Sequence, residues 1–155
     1  MSVDRRHLGR RYGPYRFEAG HESILDFVAA TGGRVPGRVF QSAPPAASLP
    51  PDLARGDAAG PVVAPPSFAA VFAIQPFATA CADPEIGLNV LSLVHGEQAF
   101  EFLEPVRAGD TLVTTGTITR AQQRANLDFL EVTTETTNQH GRLVVRGVWT
   151  AIVRN

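Results

Sequence analysis

Residues Ala64–Gly87 read APPSFAAVFAIQPFATACADPEIG. Pro66 suits the first turn of a helix, where its missing N–H has no intrahelical partner to lose. Phe68, Val71 and Phe72, with Ala69, Ala70 and Ala73 between them, make that helix apolar almost all round. Such a helix is buried on most sides. Pro76 should kink or end it, because proline removes one backbone bond and crowds the preceding turn. The expectation is one helix from about Pro66 to near Pro76, enclosed by what the rest of the chain builds.

From Leu88 onward the chain reads as strand: LNVLSLVHGEQAFEFLEPV, TLVTTGTITRA, LDFLEVTTETT and LVVRGVWTAIV. Turns are expected at Ala108-Gly109-Asp110 and at Asn138-Gln139-His140-Gly141. Richness in Thr, Val and Phe between short polar breaks predicts long antiparallel strands joined in a meander. In the first strand Leu91 and Leu93 share one face, while Gln98, Phe100 and Phe102 share the other. The parity changes near His95-Gly96, so a bulge or bend is expected at Gly96. The last strand is apolar on both faces, with Leu143, Val145, Trp149 and Val153 on one and Val144, Val148 and Ile152 on the other. It should be central or covered on both sides. Upstream, PYRFEAG reads as a short strand. A helix follows, with Ile24, Leu25, Phe27 and Val28 at helical spacing and Gly32-Gly33 as its stop. A buried helix followed by a long antiparallel sheet is an α+β plan in which the sheet wraps the helix.

Composition bounds the function. The 155 residues suit one domain spanning 1–155, and 44% hydrophobic with 19% charged residues is ordinary globular composition. A net charge of −1 gives no basic field for nucleic acid, and all 14 cationic side chains are Arg. Cys81 stands alone, which leaves no intramolecular disulfide and no Cys-based metal site. MSVDRRHLGRR is charged without an apolar core, so a secretory signal is not expected, and the run Phe68–Ile74 is too short to span a membrane. These features point to the cytoplasm. Residues 33–66 hold eight of the 12 prolines with many Ala and Gly and no sustained period. They read as a long extended loop, either a variable insertion or a lid or partner contact.

The order of elements, VVAPPSF at the helix entry, LVHGEQAFEF and EPVRAGDTL together resemble the MaoC-like hydratase/dehydratase family of hotdog proteins, nearest its FAS1-type N-terminal branch. The resemblance covers roughly residues 12–153. It implies a single hotdog that pairs through its sheet with a second hotdog chain, homo- or heteromeric. An acyl thioester, on coenzyme A or acyl carrier protein, would bind between them. The implied reaction is reversible loss of water from a (3R)-3-hydroxyacyl thioester, and no cofactor or metal is implied.

Catalytic members of that family carry Thr/Ser-Gly-Asp-x-Asn-Pro-x-His after the first helix. One group of the pair removes the α-proton while the other manages the departing hydroxyl. Here the stretch is Thr31-Gly32-Gly33-Arg34-Val35-Pro36-Gly37-Arg38. Gly32 and Pro36 match. Gly33 stands at the aspartate position, Val35 at the asparagine position and Arg38 at the histidine position. Guanidinium stays protonated and cannot act as a base, so the loop is degenerate as an acid/base device. Arg38 could instead hold a phosphate of the pantetheine arm. With Arg38, the residues Phe68, His95 and Gln98 are the substrate contacts the resemblance implies. His95 and Glu97 are the alternative acid/base pair, since absent a bulge residues two apart on a strand share a face. The spacing of the four histidines suggests no metal site. Three readings follow. The first is a non-catalytic subunit that shapes the acyl tunnel beside a catalytic hotdog. The second is a self-sufficient dehydratase or thioesterase using His95 and Glu97, and the third an acyl-thioester binding or scaffold protein.

Overall fold

The computed structural model describes residues 4–33 and 62–154. Arg38, Val35, Pro36 and most of the Pro/Ala/Gly-rich segment lie outside them. Five strands form one antiparallel sheet: β1 (Arg11–Glu18), β2 (Leu93–Phe102), β3 (Thr111–Arg124), β4 (Leu127–Thr137) and β5 (Leu143–Arg154). The helices are α1 (His21–Ala30), α2 (Ala69–Ala73) and α3 (Gln75–Ala82), with a 3-10 turn at Pro66–Phe68 leading into α2.

The strand order is β1-β3-β4-β5-β2. Only β3, β4 and β5 form the expected meander; β2 crosses the sheet to pair with β5, and β1 closes the opposite edge against β3. The doubly apolar β5 is therefore flanked on both sides. Leu91 does not extend β2. Asn89 caps a short 3-10 turn over Val90–Ser92 by accepting the Leu91 N–H, and β2 begins at Leu93. The β3–β4 hairpin turns in two residues, Ala125 and Asn126, with Ala125 at φ 51°.

Alternation along β3 and β4 sends Leu112, Thr114, Ile118, Leu130, Val132 and Thr134 to one buried face. The helical segment lies across that face. It runs beyond Pro76 to Ala82, because Pro76 falls in the first turn of α3, where a missing N–H costs nothing. The proline thus makes a break at Ile74 rather than an end. Gly116 lets this contact form, since a Cβ there would overlap the Pro76 ring. Burial is one-sided, not all round: Phe72, Ala73, Phe77 and Ala80 face the sheet, while Val71, Gln75 and Ala78 remain exposed.

Polar groups under the helix are mutually satisfied. The Thr114 and Thr136 hydroxyls lie 2.8 Å apart, and the Trp149 indole N–H donates to Thr134 Oγ1 at 3.0 Å. Such pairing removes the penalty of burying them.

Candidate functional site

Two aromatic clusters frame the interior. Phe17 of β1, Phe27 of α1, Phe68 and Phe72 make one, with ring centroids 5.3–6.1 Å apart. Phe77, His95, Trp149, Phe100 and Phe102 make the other, at 5.2–5.8 Å. A cavity of about 360 Å³ opens where they approach. Phe68, Phe72 and Ala69 from the helical segment, Val145 from β5, and Phe102 and Leu103 at the end of β2 line it. Its remaining wall is built by residues 63–66 and 104–106. The Ala64 N–H donates to the Val106 carbonyl at 2.9 Å, which ties the two stretches together.

The cavity has a buried floor and an open apolar rim. Phe68, Phe72 and Val145 are almost inaccessible, whereas Val63, Phe102 and Leu103 are close to half exposed. Glu104 is the sole titratable side chain of the lining among the described residues, and it is held by the Arg142 guanidinium at 2.8 Å. An engineered cavity of about 150 Å³ accepts benzene, so this one has room for roughly a dozen carbon atoms. The arrangement can hold an apolar chain. Among the described residues, its lining offers no base other than the ion-paired Glu104.

The expected site residues separate. Phe68 lies in the cavity wall. Gly33 follows α1 on the surface, and a Cβ there would fall 2.6 Å from Val28 Cγ1 and 2.9 Å from the Val28 carbonyl oxygen. The loop as folded has no space for an aspartate at that position. The register of β2 against β5 slips between His95 and Glu97, at the glycine where the parity of the sequence changes. His95 pairs with Ala151 and packs against Phe77 and Trp149, which also stack on each other, on the helix-facing side, while Glu97 pairs with Thr150 on the opposite side. The two are not brought together. Gln98 pairs with Trp149 and so shares the side of His95.

Other titratable groups cluster away from the cavity. Tyr12 donates to Asp83 Oδ2 at 2.8 Å, Arg10 pairs with the same carboxylate at 2.9 Å and also with Glu85, and His7 is buried nearby. Desolvation pushes the Asp83 carboxyl up. The hydrogen bonds from Tyr12 and the Glu85 N–H, with the Arg10 and His7 charges, bring it below its ordinary value. Burial, with the hydrogen bond to Asp83, raises the Tyr12 phenol. Burial also pushes the Cys81 thiol up to about 12, so it is no nucleophile at neutral pH. Sequence reasoning missed the Tyr12–Asp83 contact, which joins residues 71 apart without any local pattern. Among the described residues no group of three or more His, Cys, Asp or Glu could hold a metal ion, and no helix is long and apolar enough to cross a membrane.

A five-stranded antiparallel sheet wrapped on one interrupted helix, with an apolar cavity at the helix entry, is a hotdog fold. Within that class, the chain belongs to the family described as the FAS1-like, dehydratase domain region, whose model matches residues 6–146. A UPF0336 protein of Streptomyces griseus is 32% identical over 155 residues, covering 99% of this chain and 97% of the relative. Among solved structures, the HadBC (3R-hydroxyacyl-ACP dehydratase) complex of Mycobacterium tuberculosis superposes with a TM-score of 0.71 at 23% identity, covering 98% of this chain and 99% of the other. The MaoC-like dehydratase of Rhodospirillum rubrum gives 0.59 at 19% identity, covering 96% and 92%.

Proposed function

We propose that this chain is the non-catalytic subunit of a (3R)-3-hydroxyacyl-thioester dehydratase, pairing with a second hotdog chain and supplying the apolar wall for the acyl tail. One observation carries the reading: an apolar cavity with a buried floor whose lone titratable lining group among the described residues, Glu104, is tied to Arg142. Gly33 agrees with it, having neither a side chain nor space for one. Dehydration needs a base for the α-proton and an acid for the leaving hydroxyl. In this reading the partner brings both, and this chain brings the tail pocket and the pairing edge.

That edge is β2. It lies outermost in the sheet and is exposed along most of its length. Val90, Leu91 and Val94 stand out at one end of it, and Phe102 and Leu103 at the other. A strand whose outer edge is unpaired and bordered by apolar side chains is a template for another chain. The HadBC protein, itself a complex, supports a second hotdog as the occupant. The soluble cytoplasm is the compartment this chemistry suits.

The experiment is to assay hydration of crotonyl and longer enoyl thioesters with the chain alone and with a hotdog carrying an intact Asp-x-Asn-Pro-x-His loop. Each acid/base group is worth roughly 10²–10⁴-fold. The chain alone should therefore stay at background and the pair should turn over. Ordinary enzymatic rates from the chain alone, abolished by His95→Ala, would replace this reading with a self-sufficient enzyme.

A further inference from the structure

We propose that the outer edge of β2 selects against a copy of itself and for a non-identical partner, a second hotdog whose own edge strand carries Arg or Lys on the face turned away from its helix. It rests on the β2 pairing edge proposed above and adds what that edge prefers to meet.

Beyond the slip at Gly96, Glu97 stands opposite Thr150, Ala99 opposite Val148 and Glu101 opposite Arg146. All three therefore point away from the helices, and all three are exposed. Arg146 is shared, donating to Glu101 at 2.7 Å and to Glu135 at 3.3 Å, so one cation serves two anions. Glu97 makes no hydrogen bond or ion pair among the described residues. The strand itself, LVHGEQAFEF, carries no Arg or Lys. Its outward row is anionic.

Two copies joined symmetrically along β2 run antiparallel, and residues directly opposite each other then share a face. Outward residues of one copy meet outward residues of the other. With the two-fold axis at Glu97 or at Glu101, that carboxylate faces its own copy. With the axis at Ala99, Glu97 faces Glu101 twice. With the axis at Gln98, Phe100 or Phe102, carboxylates of the two copies lie on the diagonal, still within reach of long side chains. Each of these registers brings like charges together. Arg146 and Arg154 sit one strand back on β5, about 10 Å from any strand added beyond β2, which is a full screening length in ordinary salt. The apolar ends of β2 still favour covering it, so a self-pair is weakened rather than forbidden. A guanidinium or ammonium at the matching outward positions turns each like pair into an opposite pair. Such complementarity chooses between partners more than it adds raw affinity.

The test uses a charge-reversed copy of the full-length chain, Glu97→Lys with Glu101→Lys, as the basic partner. Labelled wild-type chain is titrated with wild type or with the reversed copy, the reversed copy is titrated with itself, and sedimentation is followed at about 20 mM and about 500 mM salt. At low salt the mixed pair is expected to be about ten- to hundredfold tighter than either self-pair, because several cross-strand charge pairs change sign. That advantage should shrink at high salt. Equal affinities would overturn the charge preference and leave β2 as the pairing edge. No association in any mixture would also overturn it, and would make the two glutamates a guard against all edge pairing. If the reversed copy does not fold, Glu97→Gln with Glu101→Gln takes its place. Its self-pair should be about two- to tenfold tighter than that of the wild type, and an unchanged self-pair would overturn the inference equally. No acyl ligand enters the measurement, so the dehydratase reading is tested separately by the hydration assay.

Discussion

At Gly33 the space matters as much as the missing side chain. Restoring aspartate places a Cβ within 2.9 Å of the Val28 carbonyl oxygen, and a contact with backbone cannot be relieved by a rotamer change. Gly33→Asp is expected to cost about 1–3 kcal/mol, as other overpacked sites do, and to gain no hydratase activity. A thermal melt coincident with the wild type would show that the loop yields freely. Asp83 offers a pH-dependent contact instead. Its folded pKa lies below the unfolded value of about 3.9. It therefore contributes stability that is present above that value and lost as pH falls through the folded pKa. Tyr12→Phe removes a donor at 2.8 Å from this carboxylate. It is expected to cost about 1–2 kcal/mol at neutral pH, with a smaller deficit at pH 3. Urea midpoints at the two pH values give the comparison, and equal deficits would remove the carboxylate from the explanation.

Between elements, the closest approach is α3 over β3, where Gly116 lies under Pro76. Gly116→Ala pushes a methyl into that ring and should cost about 1–3 kcal/mol, lowering Tm by roughly 2–4 °C for each. An unchanged melt would mean the helix can lift without penalty. The same contact shows what the sequence could disclose. Apolar density marked the helix, and period-two alternation marked β3 and β4, because both are local consequences of burial. The parity change at His95-Gly96 likewise disclosed the bulge. What stayed hidden was non-local. Nothing near Leu93–Phe102 says that β2 pairs with β5 rather than β3, and nothing near Pro76 says whether it ends one helix or starts another. Phe68 was legible as a buried residue from the apolar density around it, but nothing local says that it borders a cavity. The separation of Glu97 from His95 depends on which residue the bulge leaves unpaired, which only the register against Thr150 and Ala151 decides.

For the molecule as a whole, the open question is what covers β2. Leu91 is 95% exposed and Val94 62%, values that a lone chain gains nothing by maintaining. Val94 lies opposite Ile152 on the face away from the helix, so a strand added along β2 would continue the sheet and place new side chains beside both. Charge at a strand edge opposes such pairing, because a desolvated ion must be buried without a partner. Leu91→Asp with Val94→Lys is therefore expected to disrupt association while leaving the melt of the isolated chain nearly unchanged, since exposed positions contribute little to packing. Sedimentation of the wild type at micromolar concentration should give a species heavier than 16.6 kDa, and the double variant should return to that mass. A wild-type monomer that also stays monomeric with the catalytic hotdog would count against β2 as the pairing edge. A double variant that still associates would move the interface elsewhere on the molecule.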